Sequence, residues 1–167
     1  MQIFAQILGF IGVGINLLIY QQKTQNRVLI FKFSSDILWA VHYFCLGAFS
    51  GAAIACIGIF REGTFMLFKK NRKKWLFLFM LLAIGSVFLT WKNIFSIFPA
   101  AASILSVLSF WQKSAKNTRL LAFPISICMG IYSFASASWS GVSNELLTIG
   151  SAAIGLIRKD IKNNEKE

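Results

Sequence analysis

The strongest constraint on this chain is where its charges are absent. Seven stretches, residues 3–20, 28–47, 50–68, 75–91, 94–111, 120–137 and 141–158, are almost wholly apolar. Each is about as long as the 17–25 residues that a helix needs to cross a bilayer. Backbone groups in lipid have to pair internally, so such runs are expected as helices. The short gaps make sequential helices antiparallel neighbours. Hydrophobic residues are 56% of the chain and charged residues 14%, against about 45–50% and about 25% in soluble domains. One soluble core of this size cannot hide that much apolar surface; lipid can take the excess. Four of the five tryptophans, Trp75, Trp91, Trp111 and Trp139, stand at or beside span ends, as interfacial anchors do.

The connections test the span count. The first gap and its flank hold Lys23, Arg27 and Lys32; the third holds Lys69, Lys70, Arg72, Lys73 and Lys74; the fifth holds Lys113, Lys116 and Arg119. The tail begins with Arg158, Lys159 and Lys162. The second and sixth gaps carry no charge, and the fourth carries Lys92 alone. Basic and neutral connections alternate, so the positive-inside rule puts the amino terminus outside and the carboxy terminus in the cytoplasm. Only an odd number of spans satisfies this. Arg61 and Glu62 interrupt the third run, but the alternation beyond it fails unless that segment crosses.

The net charge of +11 would suggest a nucleic-acid partner in a soluble chain. Here the charges sit between apolar segments and form no basic helical face, so they read as topology signals and no nucleic acid is expected. Cys45, Cys56 and Cys128 lie in apolar stretches without Cys-x-x-Cys spacing and read as small buried hydrophobes. The first apolar run has no Lys or Arg before it and no Ala-x-Ala pattern, so it is expected to stay as the first span. No catalytic constellation, cofactor motif or metal-ligand cluster is visible. An enzyme is therefore not expected, although Asp36 with His42 keeps an intramembrane enzyme as a minor alternative.

A shift of 90 residues brings the first three spans onto the last three. Gln22-Lys23 falls on Gln112-Lys113, Phe33 on Phe123, Ile37 on Ile127, Phe44 on Phe134, and Phe49-Ser50-Gly51 on Trp139-Ser140-Gly141. The same shift aligns the neutral hairpins and the basic loops. A three-helix unit has odd parity, so two direct copies keep one orientation only if one more span separates them. Residues 75–91 sit where that span is needed. The expected fold is an all-α transmembrane bundle of seven helices in a 3+1+3 layout of parallel repeats. Residues 1–68 form the first repeat, 69–93 the basic loop and linker helix, 94–158 the second repeat and 159–167 a cytoplasmic tail. That symmetry class is used by transporters, with the substrate site at the repeat interface.

Gln6-Ile7-Leu8-Gly9-Phe10-Ile11, Val41-His42-Tyr43-Phe44-Cys45-Leu46-Gly47 and Arg61 resemble the YgjV-like bacterial inner-membrane protein family. The likeness covers the first three spans well and the remainder by layout. It implies a multi-pass protein of the bacterial inner membrane and leaves the activity open. The layout also resembles, more distantly, the SWEET and PQ-loop transporters, which hold a sugar with a Trp and an Asn from each repeat. Trp39 matches the first of these, but its counterpart is Met129, and the Asn positions read Gly58 and Thr148. Pro124 and Pro99 stand in repeat spans. The likeness thus implies the architecture and not the sugar.

Ionised groups in lipid mark function or structural pairing. Asp36 lies about 12 Å and Arg61 about 10 Å from the inner membrane edge by helical rise, on helices joined by a tight hairpin, so the two are expected to be within reach. They form either a static ion pair locking two spans or a gate or substrate pair that rearranges. Glu62 points about 100° away from Arg61 and meets another helix or a bent Arg61. His42 is expected to be hydrogen-bonded inside the bundle, and its alignment with Tyr132 suggests matched positions lining one cavity. Asn144 and Glu145 are placed near the outer start of the last span, where a carboxylate suits the helix dipole. Lys32 is expected to snorkel to the interface, and Asn16 is a further cavity candidate. Gly9, Gly12 and Gly14 match Ala100, Ala101, Ala102, Ser103 and Ser106 as small faces that allow close packing or sliding.

Two readings follow. One is a small-solute transporter with a polar cavity between the repeats; the other is a non-transporting assembly or sensor protein whose charges are structural. The lipid bilayer is a partner in both, a small polar solute in the first, and an oligomer is compatible with either.

Overall fold

The computed structural model describes residues 2–68 and 72–158. Lys69, Lys70, Lys159 and Lys162, with the rest of the tail at 159–167, lie outside the described residues. Those residues form seven α-helices and no strand: α1 Gln2–Ile19, α2 Gln25–Cys45, α3 Phe49–Leu67, α4 Arg72–Thr90, α5 Ile97–Trp111, α6 Ala115–Ala135 and α7 Trp139–Leu156. A 3-10 turn at Ile94–Ser96 leads into α5. Four segments, Gln25–Cys45, Phe49–Leu67, Ile94–Trp111 and Ala115–Ala135, have the length and hydropathy to cross a membrane.

The helices match the apolar runs and start ahead of several of them. α2, α4 and α6 begin in polar first turns, at Gln25, Arg72 and Ala115, that hydropathy alone cannot see. α3 runs unbroken through Arg61 and Glu62, both turned inward and buried. Exposure is inverted relative to a soluble protein. Phe4, Phe10, Phe60, Phe88, Leu89 and Leu146 are exposed, while Asn16, Asp36, His42, Arg61, Glu62 and Asn144 are buried. An outer surface of that kind is stable against lipid and unstable against water.

α1 packs on α2 and α7, α3 on α2 and α5, and α6 on α5 and α7, which closes six helices into a ring. α4 leans on α3 and α5. Two apolar clusters fill the ring. One, near the basic connections, holds Ile19, Tyr20, Phe65, Phe79 and Phe110; the other, toward the neutral hairpins, holds Val13, Trp39, Tyr43, Ala52 and Tyr132.

Both neutral hairpins turn on a residue with left-handed backbone, Gly47 at φ 69° and Ala137 at φ 52°. Their hydrogen bonds correspond. Leu46 N–H donates to His42 O and Ala48 N–H to Tyr43 O; Ser136 N–H donates to Tyr132 O and Ser138 N–H to Ser133 O. The conformation is free of cost for glycine but not for alanine.

Candidate functional site

A cavity of about 80 Å³ lies inside the ring, and each of the six ring helices contributes to its wall. Asn16 comes from α1, Asp36 and Trp39 from α2, Arg61 from α3, Ser103 and Ser106 from α5, Ser126 and Met129 from α6, and Asn144, Glu145 and Thr148 from α7. The helical period explains the grouping. Asp36 and Trp39, Ser103 and Ser106, and Asn144 and Thr148 are three or four residues apart and share a face.

The charges do not pair as the sequence suggests. Asp36 is joined to Lys32 one turn earlier on its own helix, and Arg61 donates from Nη2 and Nε to Glu62 Oε1 at 2.6 and 3.0 Å. The expected Asp36–Arg61 pair is therefore absent. An i,i+4 lysine lies on the same face as Asp36 at no cost in helix geometry, while the arginine fork bends back to the adjacent carboxylate. Lys32 does not snorkel to the interface: its side chain is 19% exposed and its ammonium is held by Asp36. The Arg61 guanidinium also lies 5.2 Å from the Phe110 ring centroid on α5, in range of a cation–π contact.

A directed chain of hydrogen bonds crosses the wall. Ser35 Oγ donates to Asn16 Oδ1 at 2.6 Å, Asn16 Nδ2 to Asn144 Oδ1 at 2.7 Å, and Asn144 Nδ2 to Glu145 Oε1 at 2.8 Å. Each amide both accepts and donates, so the bonds polarise one another toward the carboxylate. Glu145 is not a helix-start residue. α7 begins at Trp139, which leaves Glu145 about 9 Å along the helix, on the cavity wall rather than in the first turn. Reading that helix start two residues late hid its depth.

Two predicted cavity residues stand outside the wall. His42 is wholly buried, with Nδ1 at 2.7 Å from Ala5 O and Nε2 at 2.8 Å from Ser138 Oγ. A carbonyl only accepts, so Nδ1 carries the hydrogen, and Nε2 of the neutral ring accepts from Ser138. Ser138 Oγ in turn accepts from Gly141 N–H at 3.1 Å. Tyr132 Oη accepts from Gly51 N–H at 3.1 Å. Both side chains tie one hairpin region to the opposite half of the bundle, and packing rather than solute contact explains them.

Trp39, Asp36, Arg61, Asn16 and Asn144 all line this cavity, while Glu62 is buried and bonded to Arg61. The sequence reading missed Lys32 and Glu145 as site residues, and gave Ser103 and Ser106 only a place on a small face for packing or sliding. Buried polar atoms around this site that lack a hydrogen-bond partner include Trp39 Nε1, Arg61 Nη1, Glu62 Oε2 and Ser103 Oγ. Buried polar atoms are nearly always satisfied, so this set marks a place where a further group or water is called for.

Comparisons with curated proteins and with solved structures find no match. The family model Imp-YgjV, described as bacterial inner membrane protein, matches residues 3–163. The apolar exterior and the membrane-length helices agree with that description. The chain belongs to the Imp-YgjV family of bacterial inner membrane proteins.

Proposed function

We propose that this protein is a small-solute transporter of the bacterial inner membrane. Two parallel three-helix repeats, residues 1–68 and 94–158, enclose its substrate cavity, and α4 is the linker. The observation that carries this reading is the polar cavity walled by all six repeat helices, with no lining residue from α4 among the described residues. A site at a repeat interface is what alternating access uses.

The 90-residue register supports the repeat. Gly47 and Ala137 share their backbone sign and their hairpins share a bond pattern. Ser140 N–H donates to Gln6 Oε1, and the matched pair Ser50 and Ser96 bond at 3.2 Å. Tyr43 and Ser133, which are mates in the register, bond to each other at 2.9 Å. A residue touching its own mate belongs on a two-fold axis, as in any isologous contact. The amino terminus outside and the carboxy terminus in the cytoplasm follow from the charge alternation. The two apolar clusters suit the role of inner and outer closures, since the cavity touches Tyr20 of one and Trp39 and Tyr43 of the other.

The ion pairs favour this reading over a static assembly or sensor. Lys32–Asp36 and Arg61–Glu62 each close within one helix, so neither locks one helix to another. No enzyme activity is included in the proposal.

The test is thiol labelling in membranes. In a background lacking Cys45, Cys56 and Cys128, a single cysteine at the cavity positions Ile54 or Ser106 is challenged with an impermeant reagent from each side. A transporter labels at one position from both sides, in proportions that a bound solute changes. Labelling confined to one side under all conditions refutes alternating access.

A further inference from the structure

We infer that the cavity takes a small zwitterion, its ammonium held by Glu145 and its anionic group by the open edge of Arg61. The inference deepens the transport reading of the same cavity and rests on it.

The charge inventory points there. Five ionisable side chains gather at or behind the wall: Lys32, Asp36, Arg61, Glu62 and Glu145. Lys32 is taken by Asp36 and Arg61 by Glu62. Glu145 accepts an amide from Asn144 beside the Ser126 hydroxyl; among the described residues no salt bridge reaches it, and Lys32, bonded to Asp36, acts on it only through space. A carboxylate in a low-dielectric site with no countercharge in contact is expensive. A cationic group delivered by the solute removes that cost. The directed chain from Ser35 through Asn16 and Asn144 fixes the carboxylate in place before the solute arrives, which lowers the ordering cost of binding.

The other end is defined by donors. Arg61, 2% exposed, has Nη1 unpartnered, while Nη2 and Nε are occupied by Glu62. A guanidinium with one edge committed and one open recognises a carboxylate or a similar anion. Arg61 stands six residues before the end of α3, and Glu145 eleven before the end of α7. The anion site is therefore nearer the basic end of the bundle and the cation site nearer the neutral hairpins, so the solute is held lengthwise. Ser103 Oγ and Trp39 Nε1, both buried donors without partners, are left for acceptor atoms on the rest of the solute. A cavity of about 80 Å³ restricts the choice to compact molecules of the amino-acid class. A neutral polyol satisfies neither charged end.

The test uses detergent-purified protein and thermal unfolding with glycine, alanine, serine, γ-aminobutyrate and a betaine. The half-molecules isopropylamine and propionate, and glucose, complete the panel. At least one zwitterion is expected to raise the midpoint, by an amount that grows with concentration, while the half-molecules at equal concentration do not. Glu145→Gln is expected to weaken that zwitterion at least tenfold without lowering the unliganded midpoint. If Glu145→Gln does not fold, the preference of the wild type for a zwitterion over both half-molecules decides. Stabilisation by propionate or glucose but by no zwitterion overturns the inference and leaves transport standing. So does a panel with no shift at all, with Glu145 then neutralised by a proton. A zwitterion that binds while thiol labelling stays one-sided upholds the site and removes the transport reading instead.

Discussion

Replacing Arg61 by Met separates the structural from the functional content of the buried pair. Arg61 and Glu62 are 2% and 0% exposed, and two of the guanidinium's bonds end on Glu62 Oε1. Removing the arginine strands a carboxylate whose second oxygen already lacks a partner. Breaking a buried pair from one side costs about 3–5 kcal/mol, whereas replacing both members by apolar groups is near neutral or stabilising. At about 2–4 °C per kcal/mol for a chain of this length, Arg61→Met should lower the unfolding midpoint by roughly 6–20 °C. The double variant Arg61→Met/Glu62→Leu should recover most of that loss. If Arg61 also holds the solute, the double variant will be stable and still fail to bind or transport. The assay pairs thermal unfolding in one detergent with solute binding on the same samples. A double variant as unstable as the single refutes the pairing argument, because the cost then lies in the contact with Phe110 or in packing. A stable double variant that binds as well as wild type refutes any role of Arg61 in recognition.

Three further outcomes follow from the geometry. Ala137→Gly relieves a left-handed alanine and should raise the midpoint by a few degrees, on the order of 1 kcal/mol; the mirror change Gly47→Ala should lower it, and equal signs in the two would refute the matched-hairpin account. His42→Leu strips the partners from Ala5 O and Ser138 Oγ and should cost about 1–3 kcal/mol, with solute affinity in the folded fraction unchanged because His42 is off the cavity wall. Gly58→Ala sets a methyl group against the Asp36 carboxylate, with Glu62 Oε2 at 3.4 Å; binding should drop at a stability cost of about 1–3 kcal/mol, and undiminished binding would show that Asp36 does not shape the cavity.

The helices were legible because the apolar runs have the length that a bilayer asks of a helix and are separated by short polar gaps. Parity alone carried α3 across despite Arg61 and Glu62. The polar first turns of α2 and α6 were not legible, since hydropathy reports lipid contact and not helix formation. The pairing at the site was misread for a related reason. Depth along neighbouring helices brought Asp36 and Arg61 together, but depth ignores a lysine one turn away on the same face and a glutamate next in sequence. Local partners need no agreement between two helices, so they win where the side chains reach. Glu145 was missed through the start of α7: the turn at Ala137 ends two residues earlier than the apolar run implied, which moves the carboxylate from the rim to the wall. His42 and Tyr132, matched in the 90-residue register, were expected on one cavity wall, but His42 bonds Ala5 O and Ser138 Oγ and Tyr132 bonds Gly51 N–H.

The bonds between Asn16 and Asn144 also bear on how the chain is made. α7 lines the cavity with Asn144, Glu145 and Thr148 and is not among the helices whose hydropathy alone suits a bilayer. Alone in lipid, those groups would find no partner. α1 precedes α7 in the chain, and their contact closes the ring. α7 is therefore made after the surface that its polar face needs, and its place in a bilayer would be secured by assembly with α1 rather than by partitioning alone.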